Sequence, residues 1–115
     1  MTVEQLIERV RSAPETIEFD QVMAVIGEYY DYTPAHFSNG DVVNEAGSNE
    51  GSCKVFAFAQ LHSLTDAQTL ACFGAYYRED VLQNPGGTDH QNIRNFMKTG
   101  WDSVVFETAA LKPIE

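Results

Sequence analysis

Lysine and arginine are scarce in this 115-residue chain. There are 7 of them against 17 aspartates and glutamates, so the formal net charge at pH 7 is −10. Such a charge repels the phosphates of nucleic acids and the anionic headgroups of membranes. We therefore expect no nucleic-acid partner and no membrane partner, and we attribute the excess of carboxylates to solubility.

Cysteine is equally rare, and long apolar runs are missing. The two cysteines, Cys53 and Cys72, form neither a C-x-x-C pair nor a zinc-type spacing. We therefore expect buried free thiols, no metal site and no cofactor. No apolar stretch approaches the length that crosses a bilayer, and the first residues lack the pattern of a secretory signal. These absences predict a cytoplasmic protein, which we take to be a monomer.

The composition that is present predicts one globular domain over residues 1–115. Hydrophobic residues make up 43% of the chain, enough for a single modest core. The signature T-x-x-Q is typical of a capping box, in which both side chains bond free N–H groups at a helix start. It occurs at Thr2–Gln5, Thr65–Gln68 and Thr88–Gln91. Together with apolar residues at helical spacing, it predicts helices over residues 3–13, 19–30, 53–64, 66–83 and 89–100.

Two short segments have β character. "HFSNGDVV" indicates a hairpin, because Asn39 and Gly40 supply the two positive-φ positions of a tight turn. "WDSVVFE" is typical of a short strand and is expected beside the hairpin, whereas the C-terminal "ALKPIE" is expected to fray. The predicted fold class is mainly α, or α+β, with about five helices and a small β-hairpin or short sheet.

The stretch "NEAGSNEGSCK", residues 44–54, leads into the third helix. It fails as a phosphate-binding P-loop because Gly47 and Gly51 are one residue too close, and Ser52-Cys53 intervenes before the lysine. It also matches no register of an EF-hand calcium loop. We interpret Ser52 as the helix cap and both glycines as positive-φ residues. An anion at the helix N-terminus and a hard cation held by loop oxygens stay as alternative hypotheses.

A second alternative is cysteine chemistry. Cys53 is predicted at a helix N-terminus beside Lys54, where the pKa of a thiol is lowered. His90 follows Asp89 in "GTDHQNIRN". A Cys53–His90–Asp89 grouping would suit a cysteine-dependent hydrolase or transferase.

Polar residues crowd the junction of the last two predicted helices. Arg78 and Asp80 close one helix, and His90, Asn92 and Arg94 lie on the next. They predict either a binding cleft against the 44–54 stretch or a structural clamp in which an arginine bonds residues 44–51. The candidate binding residues are Asn44, Glu45, Ser52, Cys53, Lys54, Arg78, Asp80, Asp89, His90, Asn92 and Arg94.

Two long stretches carry a family resemblance. "FSNGDVVNEAGSNEGSCKVFAFAQLHSL" and "QTLACFGAYYREDVLQNPGGTDHQNIRNFMKTGW" resemble the HopJ family, which is named for a type III effector of plant-pathogenic bacteria. The likeness extends from about Phe19 to Phe106. Positions that match the family's motifs are Asn39, Gly40, Asn44, Glu45, Gly47, Gly51, Ser52, Cys53, Lys54, Tyr76, Tyr77, Arg78, Asp80, Thr88, Asp89, His90, Asn92, Arg94, Asn95, Gly100 and Trp101.

The resemblance implies an effector-like protein delivered through a type III system, but no particular reaction, substrate or catalytic residue. Export signals of that kind are typically unstructured and rich in serine, whereas residues 2–11 spell a capped amphipathic helix. This contrast favours a protein that stays in the cell that makes it. The function expected from the sequence is the binding of an unidentified protein or small molecule.

Overall fold

The structure, a computed structural model, describes residues 1–114 and confirms a compact, mainly α domain with small antiparallel sheets. Five α-helices are formed within those residues: α1 (Val3–Ser12), α2 (Phe19–Tyr29), α3 (Glu50–Leu61), α4 (Asp66–Ala71) and α5 (Gln91–Thr99). A π-helical segment spans Tyr76–Val81, and short 3₁₀ turns span Pro14–Thr16 and Gly100–Ser103. The strands are β1 (Tyr30–Tyr32), β2 (Phe37–Asn39), β3 (Val42–Asn44), β4 (Val104–Phe106) and β5 (Leu111–Pro113). No helix among these residues is long and apolar enough to span a membrane.

The predicted hairpin forms the centre of a three-stranded sheet. Its order is β3-β2-β4, all antiparallel, so the strand predicted in "WDSVVFE" does lie beside the hairpin. The turn differs from expectation: Asn39 pairs with Val42, and of the two predicted positions only Gly40 has a positive φ, of 59°. Fraying of the C-terminal segment was a wrong prediction for β5, which pairs with β1; Glu115 lies outside the described residues.

The core is built around α3. Phe56 is fully buried and packs within 5.0 to 6.1 Å, between ring centroids, of four aromatic rings: Phe37, Phe73, Phe96 and Trp101. Residues Val55–Ala59 are all buried, because α2, α4 and β5 surround this helix. Burying one such phenylalanine contributes about 1.5–3 kcal/mol. The "KVFAF" run, whose residues also suit a strand, lies within this buried helix.

Two of the three predicted capping boxes form. Thr2 and Thr65 each accept a bond at Oγ1 from the backbone N–H three residues on, and each donates its own backbone N–H to Oε1 of that glutamine, over 2.8 to 3.1 Å. The third box was a wrong prediction. The α5 helix begins only at Gln91, with His90 in the left-handed region, while the glutamine side chain donates to the carbonyl of Thr88. The chain is held in a turn up to residue 90, because Arg94 bonds the carbonyl of Asp89.

The helix predicted over residues 66–83 is broken in the structure. It divides at Gly74, whose φ is +59°, into α4 and the π-helical segment. A Cβ at this position would lie 2.7 Å from the backbone nitrogen of Phe19. The start of α2 therefore approaches too closely for any other residue, and the chain turns there.

The start of α3 also differs from the prediction. The helix begins at Glu50, three residues earlier than expected, and Ser52 lies inside the first turn instead of capping it. Gly47 has the expected positive φ, of 88°, but Gly51 does not. Gly51 is favoured for a different reason: a Cβ at this position would lie 2.8 Å from the ring of Phe19.

Candidate functional site

The starts of three helices meet at one cleft of about 490 Å³. α2 contributes its first residue, and α3 and α5 each contribute their first turn. The hairpin and the residues around the break at Gly74 close the remaining sides. The lining residues are Phe19, Val42, Asn49, Gly51, Ser52, Phe73, Tyr76, His90, Gln91, Asn92 and Ile93.

Two of the three helices whose starts meet at the cleft, α3 and α5, have no side-chain cap. The N-cap residues of α3 and α5, Asn49 and His90, both have φ of 51°, and neither side chain bonds a backbone N–H of its own helix. The first N–H groups of a helix have no partner within it and carry the positive end of the helix dipole. In α3 these groups include Gly51 and Ser52, which line the cleft. The site therefore offers hydrogen-bond donors from two directions.

An aromatic wall runs along one side of the cleft. The rings of Phe19 and Tyr76 meet edge-on at 5.1 Å, and those of Tyr76 and His90 lie 5.2 Å apart at a tilt of 38°. Tyr76 is 43% exposed in spite of this packing. Its ring is therefore available to a planar or apolar part of a ligand.

His90 is held by a carboxylate. Its Nε2 lies 3.0 Å from Oδ2 of Asp80 and 3.8 Å from Oδ2 of Asp89. Asp80 is thus the nearer partner, although Asp89 is the neighbour in sequence. Because Nε2 is occupied by Asp80, the other ring nitrogen is the one left for a ligand or solvent.

A network of asparagine amides lies behind the cleft and joins its parts. Asn44 is 1% exposed, and its Oδ1 accepts bonds from Nδ2 of Asn49 at 2.7 Å and from Nδ2 of Asn92 at 2.8 Å. Asn39 donates to the carbonyl of Asn92 at 2.8 Å. The predicted site residues Asn44 and Asn92 are thus brought together. Their polar atoms are used to fix the starts of α3 and α5 against the hairpin.

Arg94 forms a structural clamp, but on a different loop from the predicted one. Its guanidinium donates to the carbonyls of Asn84 and Asp89 and to the carboxylate of Asp89, at 2.6 to 2.9 Å. The side chain is only 11% exposed. The hydrogen bond from Arg94 lowers the pKa of Asp89. The clamp holds residues 84–89, whereas residues 44–51 are held by asparagines.

Arg78 lies outside the cleft. It lines a neighbouring depression of about 290 Å³ that shares Phe19 and Tyr76 with the cleft and also contains Glu18 and Glu79. Its Nη1 is buried and has no hydrogen-bond partner among residues 1–114. In this structure Arg78 does not clamp the 44–51 loop.

The predicted Cys53–His90 pair is not brought together. Cys53 is 1% exposed and its Sγ faces the carbonyl of Ala35 at 3.9 Å, while the nitrogen of His90 faces Asp80. Burial raises the pKa of the Cys53 thiol, so the prediction of a lowered pKa at the helix start was wrong. The pKa of the other thiol, Cys72, is raised by burial to about 12. Both thiols are therefore protonated near neutral pH.

The remaining predicted residues lie away from the cleft. Lys54 places its Nζ 4.7 Å from the centre of the Tyr32 ring, and Glu45 is exposed on the loop before α3. Within residues 1–114, no three histidine, cysteine, aspartate or glutamate side chains are arranged to hold a metal ion. Of the candidate residues, Ser52, His90 and Asn92 line the cleft directly, and Asp80 and Asn44 support it.

Sequence reasoning missed several cleft residues. The sequence predicted Phe19 only as an inward-facing residue of the second helix. It predicted Asn49 as a loop residue and Gln91 as part of a capping box. Gly51 and Tyr76 were noted only as matches to a family motif. The missing information was spatial, since these five residues are distributed over a segment of more than 70 residues.

Comparisons with known proteins agree with this architecture. Residues 3–111 match the family described as "HopJ type III effector protein". The structure is similar to the crystal structure of the unknown-function protein VPA0580, with a TM-score of 0.98 and 54% sequence identity over 99% of this chain and 95% of that one. No sequence among curated proteins matches the chain. Because the family match covers nearly all of the chain, this protein belongs to the HopJ family.

Proposed function

We propose that this HopJ-family protein is a binding domain whose cleft takes a small ligand that presents hydrogen-bond acceptors. One observation carries the proposal: two uncapped helix starts, at Asn49 and His90, open onto the same cleft. Free backbone N–H groups in a concave site are satisfied by water or by an acceptor on a ligand.

Different cleft residues contact different parts of the ligand. The backbone donors of the first turns of α3 and α5 contact the polar edge of the ligand, and the Ser52 hydroxyl adds a donor or an acceptor. The Tyr76 ring covers a flat or apolar part. Asp80 fixes the orientation of His90, so that its free nitrogen has a defined direction.

Nuclear magnetic resonance of labelled protein tests the proposal directly. Sodium phosphate, adenosine and adenosine monophosphate serve as probes that present acceptors with and without charge. We expect shifts of the Gly51, Ser52, Gln91 and Asn92 amides, and weaker binding after Tyr76→Ala. Val105→Thr, on the outer face of the sheet, is the control. Amide shifts scattered over the surface would contradict a site in this cleft. So would a Tyr76→Ala variant that binds the probes as tightly as the Val105→Thr control.

The second candidate, a cysteine-dependent hydrolase or transferase, has less support. Both thiols are buried and have raised pKa values, so little thiolate is present at neutral pH. We expect Cys53 to resist iodoacetamide in the native protein and to react after unfolding. Rapid alkylation of native Cys53 at pH 7 would revive the enzymatic hypothesis.

The family description makes delivery to a host cell a competing role. Leu6 and Val10 of α1 are fully buried, so the first helix is part of the core and has to unfold before export. We propose that the protein acts in the cell that produces it. A reporter fused behind α1, and found outside a bacterium with an active type III apparatus, would overturn this assignment.

A further inference from the structure

A second groove lies between the π-helical segment and α5, away from the cleft. It encloses about 400 Å³ and shares only Gln91 with the lining of the cleft. Its lining residues are Val81, Leu82, Pro85, Gly87, Gln91, Arg94, Asn95, Met97 and Lys98.

The groove is lined by both apolar and polar side chains. Leu82 and Met97, two of its apolar lining residues, are 47% and 44% exposed. α5 contributes residues 91, 94, 95 and 98 at helical spacing, in addition to Met97. An amphipathic segment therefore fits both kinds of lining residue at once.

The charge of the groove is opposite to that of the rest of the protein. The chain carries 17 acidic and 7 basic residues, yet the ionisable residues that line the groove are Arg94 and Lys98, with no carboxylate among them. Arg94 is already bonded to Asp89. Lys98 is exposed and forms no ion pair with any residue in 1–114. The groove thus presents an unpaired cation next to apolar surface.

We infer that this groove docks an acidic amphipathic segment of a partner protein. The partner's apolar side chains fill the space between Leu82 and Met97, and a carboxylate on its flank pairs with Lys98. A basic segment would meet Lys98 with like charge, and a purely apolar one would leave it unpaired. The charge of the groove therefore selects among partners of similar hydrophobicity.

Two matched synthetic peptides test the inference. Both form an amphipathic helix with leucines at helical spacing, and they differ only in carrying glutamate or lysine on the flanks. Binding is measured by fluorescence anisotropy at about 0.15 M salt, where the Debye length is about 8 Å and the net charge of the chain is largely screened. We expect the glutamate peptide to bind about fivefold or more tightly than its lysine twin.

Three variants of the protein locate the effect. Lys98→Glu should reverse the preference between the peptides, and Met97→Asp should abolish the binding of both. Lys112→Glu makes the same change in net charge on β5 and should leave the preference unaltered. Tyr76→Ala, in the cleft, should also have no effect, so failure of the cleft proposal and failure of this one are distinguishable. Melting temperatures of all variants establish that they are folded.

Each contrary outcome is decisive. Equal binding of the two peptides, or an equal loss of preference in Lys112→Glu and Lys98→Glu, would overturn the assignment. So would sedimentation showing that a second copy of this chain occupies the groove, with Met97→Asp restoring the monomer.

Discussion

Four helix starts of this protein fall into two kinds. α1 and α4 begin with complete capping boxes at Thr2 and Thr65, whereas α3 and α5 begin with left-handed, uncapped residues, Asn49 and His90. The starts of α1 and α4 bond their own N–H groups and do not line the cleft, while α2, where the N–H of Glu18 bonds Gln21, contributes only the ring of Phe19 to it. Hydrogen bonds from Asn49 and Asn92 to Asn44 hold the starts of α3 and α5 in place, and the first N–H groups of these helices have no side-chain cap. The difference separates helix ends whose first N–H groups are bonded by a side-chain cap from helix ends whose first N–H groups have no such cap.

The largest expected effect comes from removing the support of the uncapped starts. Asn44→Ala should lower the free energy of unfolding by about 1–3 kcal/mol, because it leaves the buried amide of Asn92 without its acceptor and removes the bond from the exposed Asn49. Chemical denaturation measures the loss. Amide hydrogen exchange should show faster opening at the starts of α3 and α5 than at those of α1 and α4. Uniformly faster exchange would remove the distinction between the two kinds.

A smaller loss is expected where α3 meets α2. Gly51→Ala should cost about 1–3 kcal/mol, because the new Cβ has to displace the Phe19 ring, 2.8 Å away. Gly27, in α2, has no atom within 4 Å of an added Cβ. The control Gly27→Ala should therefore stabilise the protein by about 0.5–1 kcal/mol. Thermal unfolding compares the two, and equal effects would show that the ring moves without cost.

Two threonines with the same sequence signature, Thr65 and Thr88, should differ in their contribution to the free energy of unfolding. Thr65→Ala should cost about 1 kcal/mol, since the side chain caps α4. Thr88→Ala should change the free energy of unfolding by less than about 0.5 kcal/mol, because its side chain caps no helix here. Urea denaturation of both variants measures the two changes in the free energy of unfolding. A cost at Thr88 as large as that at Thr65 would show that the third box forms in solution.

The smallest effect concerns the other end of α3, where His62 bonds the hydroxyl of Tyr30. Burial lowers the pKa of His62, against the attraction of Glu4 and together with the repulsion from Arg11. The unfolded chain therefore binds the proton more readily. Stability should fall as the pH drops below the unfolded value of about 6.5, and level off below the folded pKa. His62→Gln should remove this part of the pH dependence, measured as unfolding free energy between about pH 5 and 7.5.

Local signals predicted local structure well. The helices α1, α2, α3 and α5, the hairpin and β4 all follow from apolar spacing and turn residues. The failures have specific tertiary causes. Thr88 has the same signature as Thr2, but Arg94 holds the preceding turn in another conformation. The helix over 66–83 breaks at Gly74 because α2 packs against that residue.

The candidate site was predictable only in part, for the same reason. His90, Ser52 and Asn92 belong to segments that looked polar and functional in the sequence. Cys53 looked reactive from its place at a helix start, but desolvation outweighs the dipole once α3 is buried. The partnership of Asn44 with Asn92 spans 48 residues, and a single sequence contains no signal for such a pairing.

The asparagine network also has a consequence for the order of folding. Its bonds to Asn92 join residues 48 and 53 positions apart, whereas each capping box closes within three. Contacts between distant residues form late, because the chain has to lose more entropy before they are made. We therefore expect α1 and α4 to be ordered while the start of α5 is still detached from the hairpin. An intermediate of that kind would have much of its helix content but no complete cleft, so closing of the cleft is expected to be a late step of folding.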